Sequence, residues 1–132
     1  MKDMIFDDFQ NCVSESLLRH KSILDIITKL DESQARVNRA LIKSVTNCGC
    51  IEINGKKQCI PDETQTIEEL NNCLKSHLSG ELCDNCRDII STELGNHLFY
   101  IASLCNALDL NLYDVLINEY DKLNTLGKYR LR

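Results

Sequence analysis

The sequence predicts an all-α protein: a bundle of four or five helices into which a small β-hairpin and a cysteine knuckle are inserted. Three observations predict it. The 132-residue chain has a single proline, Pro61, so long stretches on either side are free to be helical. Apolar residues recur in those stretches at spacings of three and four, the period of a helix with one buried face. Between them lie two close cysteine pairs, Cys48-Gly-Cys50 and Cys83-Asp-Asn-Cys86, around an Asn54-Gly55 dipeptide. The length suits one core, so residues 1–132 read as a single helical domain and 47–83 as its insertion.

Each element has a local reason. Ile5, Phe9, Cys12, Val13 and Leu17 share one face of a first helix over about residues 4–20. Ser22, with Asp25 three residues on, resembles a capping box and starts a second helix running to about Val45. Its apolar set is Ile23, Ile26, Ile27, Leu30, Val37, Leu41 and Val45, interrupted by polar Ser33 and Gln34. Asn54-Gly55 is a hairpin signal. A two-residue turn there sets Ile53 opposite Lys56 and Cys50 opposite Cys59, and Pro61 ends the hairpin. Thr66 with Glu69 caps a short helix to about Leu78, broken by Ser79-Gly80. From Cys83 to Leu108 the apolar set includes Ile90, Leu94, Leu98, Ile101 and Cys105. Asn111, with Asp114 three on, starts a last helix to about Leu126, and Gly127 supplies its stop.

Composition narrows the function classes. Apolar residues make up 43% of the chain, enough for a core. The net charge is −5 and no basic run stands out, which argues against a nucleic-acid partner. The N-terminal Met1-Lys-Asp-Met-Ile-Phe-Asp-Asp carries acids where a signal peptide carries an apolar run. No stretch approaches the roughly 20 apolar residues of a membrane span. These features predict a cytoplasmic chain with no membrane partner. In a reducing compartment, eight cysteines read as metal ligands rather than as disulfides.

Four thiolates in two short clusters suit one tetrahedral Zn²⁺ or an iron–sulfur centre. Cys48, Cys50, Cys83 and Cys86 are the candidate ligands, with Cys59 as an alternate for Cys48 or Cys50. The Cys83-x-x-Cys86 pair opens a helix, where free backbone N–H groups stabilise negative sulfur. A closed four-thiolate site is structural, with no open position for catalysis. Cys12, Cys73 and Cys105 fall in helical patterns and read as small core residues. His97 reads as a packed, hydrogen-bonded histidine, and His20 and His77 as surface residues.

Two helices also place polar residues on faces that the apolar pattern would bury. These are Asp31, Glu32, Ser33, Gln34 and Arg36 on one helix, and Glu93, Asn96 and His97 on the other. Carboxylates three or four apart share a helix face, and two such helices can hold Mg²⁺ between them. The stretch Glu93-Leu-Gly-Asn96-His97-Leu-Phe-Tyr100, continuing through the turn to Leu116, resembles the Glu-x-x-Asp helix and closing helix of the MazG-like all-α nucleoside triphosphate pyrophosphatases. The tail Asp121-Lys122-Leu-Asn124-Thr-Leu-Gly-Lys128-Tyr129-Arg130 is similar to that family's closing Lys/Asn/Arg segment. Lys29 to Ala40 matches the register of its Glu-Glu-x-x-Glu helix. Together these cover roughly 70 of the 132 residues.

The resemblance implies a dimer or higher oligomer, a nucleotide ligand and Mg²⁺ held by Glu32 and Glu93 with Asp31 or Asn96. Lys128 and Arg130 would be phosphate contacts. The chain departs from the family pattern at three of the five acids: Ser33 stands at the second, Arg36 at the third and Asn96 at the last. An arginine in a metal cage adds repulsion. Arg36 instead suggests an ion pair with Glu93, or a phosphate contact together with Arg39 and Lys43. The expectation is therefore a MazG-like protein with an eroded catalytic site and a structural zinc, binding a nucleotide or a partner and leaning away from catalysis. Two alternatives stand beside it: a divergent Mg²⁺-dependent pyrophosphohydrolase, and a redox-responsive regulator that releases zinc when its thiolates oxidise.

Overall fold

A computed structural model describes residues 2–60 and 66–126. The described residues are mostly helical. They form α1 (Lys2–Ser16), α2 (Ile23–Lys43), a π-helical turn (Ser44–Cys48), strand β1 (Ile51–Ile53), α3 (Ile67–Cys73), strand β2 (Leu78–Gly80), α4 (Asp84–Ala107) and α5 (Leu112–Leu126). None of these helices is long and apolar enough to cross a membrane.

The helix starts follow from the caps. The Ser22 hydroxyl accepts a hydrogen bond from the Leu24 N–H at 3.3 Å. The Thr66 hydroxyl accepts from Glu69 N–H at 3.1 Å, and the Asn111 side-chain oxygen accepts from Asp114 N–H at 3.0 Å. Each bond satisfies a backbone donor that the first helical turn leaves without a partner. Cys83 caps α4 with its sulfur, which accepts from the Cys86 N–H at 3.4 Å. α1 ends at Ser16, about four residues short of the expected end near residue 20. The Gly127 stop and Pro61 lie outside the described residues.

α2 and α4 pack most extensively and run antiparallel. Ser33 touches His97 near the middle of the pair and Ser44 touches Cys86 at its end, eleven residues forward on α2 and eleven back on α4. α1 packs on the C-terminal half of α4 and also against α5, where the rings of Phe6 and Tyr113 meet at a tilt of 56° with their centroids 6.0 Å apart. The core is narrow: Val13, Ile26, Ile51, Cys86, Ala102 and Cys105 are its buried apolar residues among those described. The expected apolar face of α1 is only partly used. Val13 is buried, whereas Ile5 and Phe9 remain exposed and Cys12 faces solvent rather than the core. Gln10, outside that face, is buried instead. Its amide donates to the Leu110 carbonyl at 2.6 Å and accepts from Leu112 N–H at 2.9 Å, so one side chain clamps the turn between α4 and α5.

The insertion departs from the expected hairpin. β1 does not fold back at Asn54-Gly55 onto residues 56–60. It pairs antiparallel with β2, in the register Ile51–Gly80, Glu52–Ser79 and Ile53–Leu78. Asn54 N–H extends the ladder to the His77 carbonyl at 2.9 Å. The segment expected to be the return strand is held differently: the Gln58 amide donates to the Lys75 carbonyl at 2.7 Å and accepts from Lys75 N–H at 2.9 Å. Local turn chemistry lost to a longer-range pairing, whose extra loop-closure cost grows only slowly with length. α3 accordingly stops at Cys73, since Leu78–Gly80 belongs to the strand.

Candidate metal centre

The β1–β2 pairing places Cys50 just before one strand and Cys83 just after the other. α2 ends in a π-helical turn, in which the Gly49 N–H bonds to the Ser44 carbonyl at 2.8 Å, five residues back. Gly49 then adopts a left-handed φ of 75°, which reverses the chain and turns Cys48 and Cys50 toward α4. Gly80 is required for a second reason. At φ 85°, a Cβ there would lie 2.6 Å from the Cys50 carbonyl oxygen. Only glycine lets the two strands approach this closely.

The result is convergence. The Sγ atoms of Cys48, Cys50, Cys83 and Cys86 all lie within 4.8 Å of one another. Those of Cys48 and Cys83 are 3.7 Å apart. A tetrahedral ion with Zn–S bonds of about 2.3 Å has sulfur–sulfur edges of about 3.8 Å, so the arrangement fits one mononuclear ion. An iron–sulfur cluster would hold its thiolates further apart, around several irons and sulfides. Among the described residues this is the only group of three or more metal-type side chains that converges. Cys59 is exposed and outside it. His77 is also outside it, and takes a left-handed φ of 63° in the strand connection. Cys73 is half-buried and Cys105 buried.

Proton affinities in the cluster say what a cation would change. The Cys86 backbone N–H, aimed at the Cys83 sulfur, is the chief cause that brings Cys83 down to about 7, helped by the Cys86 and Cys48 thiols. The Ser44 hydroxyl favours a thiolate at Cys86, but the neighbouring Cys83 sulfur, burial and the other two sulfurs outweigh it and push Cys86 up to about 12. Cys48 is raised as well, first by Cys83. The sulfurs cannot all ionise side by side without a cation among them. A divalent ion supplies that charge and displaces the protons.

The acids of the two helices behave oppositely. Glu32 is bound by its own helix, with Lys29 at 3.0 Å on one carboxylate oxygen and Arg36 at 3.0 Å on the other. Those two cations, Lys29 first, hold its carboxyl below the ordinary range. Arg36 therefore does not form the expected pair with Glu93. Asp31 and Asn96 are exposed, and no third ligand joins Glu32 or Glu93 among the described residues. Lys128 and Arg130 lie outside the described residues. The α2–α4 interface is tied instead by Ser33 and His97, 2.7 Å apart from Oγ to Nδ1. The Ser33 hydroxyl also donates to the Leu30 carbonyl at 3.0 Å. At 1% exposure, Ser33 is closed to any substrate.

Glu93 faces a cleft of about 430 Å³ between α2 and α4, bordered by Arg36, Arg39 and Lys43 and by Cys48 and Cys86 of the cluster. Asn47 and Asn85 also line it and carried no sequence signal, since neither belongs to a recognisable motif.

No family model, curated protein or solved structure matches the chain. The MazG-like resemblance therefore rests on the quoted motifs alone.

Proposed function

We propose that this chain is a MazG-like helical-bundle protein that has exchanged its Mg²⁺ cage for a structural zinc, and that it binds a nucleotide or a protein partner rather than turning over substrate. One observation carries the reading: the four cysteines converge, while Glu32, the surviving acid of the α2 motif, is neutralised by Lys29 and Arg36. A carboxylate with two cations on its oxygens is a poor ligand for a hard divalent ion. The zinc would be held by Cys48, Cys50, Cys83 and Cys86, and it supplies a closed cross-link between the end of α2 and the start of α4. A thiolate site of this kind persists in a reducing compartment, which supports a cytoplasmic setting.

The reading includes a homo-oligomer, dimer or tetramer. The side of α2 turned about a quarter-turn from its α4 contact carries Ile23, Ile27 and Leu41, each about 40–50% exposed. Leu94 and Leu98 extend that apolar surface onto α4 at 46% and 50% exposure. A second copy presenting the same stripe would bury both. Leu94→Glu should then lower the assembly state in analytical ultracentrifugation, and an unchanged sedimentation profile would remove this part of the reading.

The second reading is a divergent pyrophosphohydrolase, favoured by Glu93, a carboxylate on the cleft wall with no ion-pair partner among the described residues. The test between the two is pyrophosphate release from a panel of nucleoside triphosphates with Mg²⁺ or Mn²⁺. The expected result is no release above a Glu93→Gln control. Turnover abolished by that substitution would establish the enzyme and overturn the first reading.

A further inference from the structure

We propose that the cleft between α2 and α4 is a phosphate-chain site that works without Mg²⁺, with Arg36, Arg39 and Lys43 as its contacts. This rests on the nucleotide arm of the reading above and specifies the part of the ligand that is recognised.

Arg36, Arg39 and Lys43 follow one another at spacings of three and four, so they share one edge of α2. In a chain of net charge −5, three cations on a single edge are a local reversal of sign. Like charges so placed destabilise a helix unless an anion lies between them. Arg36 is partly answered by Glu32. Arg39 and Lys43 have no ion-pair partner among the described residues, and Glu93 is the one carboxylate on the cleft wall.

Shape and donor chemistry narrow the occupant. A cleft of about 430 Å³ is of the size that takes a small molecule. Guanidinium groups bind phosphate oxygens through two parallel N–H bonds, and the lysine acts as a point charge. Asn47 and Asn85 add neutral amide groups from the two opposite walls, and Ile89 adds an apolar surface. A single carboxylate would satisfy one cation, whereas a di- or triphosphate spans three. The cations then neutralise the phosphate charge that Mg²⁺ would otherwise carry. A competing explanation is also present on this wall: Cys48 and Cys86 border the cleft, and a zinc-loaded four-thiolate centre carries net negative charge that Arg39 and Lys43 could balance.

The experiment separates these. Zinc-loaded protein in Mg²⁺-free buffer is titrated calorimetrically with inorganic triphosphate and, separately, with a nucleoside triphosphate. The double variant Arg39→Gln/Lys43→Gln is compared with Lys56→Gln/Lys57→Gln, which removes two exposed cations of the insertion. Zinc content and the far-ultraviolet spectrum are measured for every sample. The expected result is saturable triphosphate binding, weakened at least about tenfold in the cleft variant and unchanged in the control, with one zinc per chain throughout. Absent triphosphate binding, or equal weakening in both variants, overturns the proposal. A cleft variant that sheds its zinc assigns the two cations to the sulfurs and also overturns it. Nucleoside triphosphate binding that ignores the cleft variant defeats the cleft and leaves the nucleotide reading standing. Cleft-dependent binding of inorganic triphosphate alone supports the cleft and defeats the nucleotide reading.

Discussion

One helix pair, α2–α4, carries two sets of metal-type side chains, and they meet opposite fates. At the end of the pair, four sulfurs from two chain segments converge within 4.8 Å. Near its middle, the side chains that resemble a Mg²⁺ cage scatter: Glu32 turns to its own helix, Asp31 and Asn96 face solvent, and Ser33 and His97 occupy the interface. The difference lies in what fixes each side chain. The cysteines have short side chains on a backbone already bent toward the site by a π-turn, a left-handed glycine and a strand pair. Glu32 sits on regular helix, where a lysine three residues before and an arginine four residues after compete for its carboxylate. Convergence is a property of backbone geometry more than of residue type.

The largest test of this contrast is removal of a sulfur. Cys83 is both a ligand candidate and the cap of α4. Cys83→Ala should abolish stoichiometric zinc and lower the melting temperature by about 10 °C or more, since structural zinc binding is itself folding free energy. Metal analysis and calorimetric melting check it. A variant that melts like the parent would reduce the cluster to four unligated thiols. Gly80→Ala tests the backbone half of the claim. Its left-handed φ alone costs an alanine about 1–2 kcal/mol, and the contact with the Cys50 carbonyl adds to that. Urea unfolding should show a loss of at least ~2 kcal/mol together with weakened zinc retention. Full zinc affinity in that variant would mean that the sulfurs converge without the strand pair.

Zinc affinity should also depend on pH in a particular way. At neutral pH, Cys48 and Cys86 hold protons that the metal must displace, because both are raised. As pH falls through about 7, Cys83 takes up its own proton, so each zinc bound must release one more. Proton release measured in two buffers of different ionisation enthalpy should rise by about one per zinc across that interval. A constant stoichiometry would contradict the shared-proton network. In the middle of the pair the stakes are smaller. Ser33→Ala removes two hydrogen bonds, to the Leu30 carbonyl and to His97, and should cost about 1–2 kcal/mol in urea unfolding, with a double-mutant cycle against His97→Ala isolating the share that belongs to the interhelical pair.

How much of this could be read in the sequence follows the same division. The helices were legible because their caps are local: Ser22, Thr66 and Asn111 each announce a start within three residues. The four cysteines that converge were legible from spacing alone. The strand pairing was not, because Asn54-Gly55 gives a strong local turn signal while the Ile51–Gly80 partnership joins residues far apart and leaves no short motif. Cys59 followed the same error, since its candidacy depended on the hairpin facing it toward Cys50. The Ser33–His97 tie was half legible. The polar break in the α2 pattern was visible, but its partner lies 64 residues away. Gln10 gave no signal at all: a polar residue off the apolar face became the buried clamp of the α4–α5 turn.

The smallest expected effect sharpens the contrast most, because it asks whether Glu32 takes any part in metal chemistry. Its folded carboxyl is held down by Lys29 and Arg36, so whatever it contributes is present at neutral pH and lost as pH falls through its folded value. Both pairs are solvent-exposed, within one helix and screened by salt, so Glu32→Gln should change the melting temperature only slightly at low ionic strength and not at all in high salt. The comparison that matters is between the variant and the parent, each zinc-loaded, with and without millimolar Mg²⁺. If Glu32 belongs to its own helix, Mg²⁺ moves neither melt. A Mg²⁺-dependent rise in the parent that Glu32→Gln removes would put the carboxylate back in a cage, with its remaining ligands coming from a second copy of the chain. The two ends of the α2–α4 pair would then both be metal sites, one closed by the fold and one completed only on assembly.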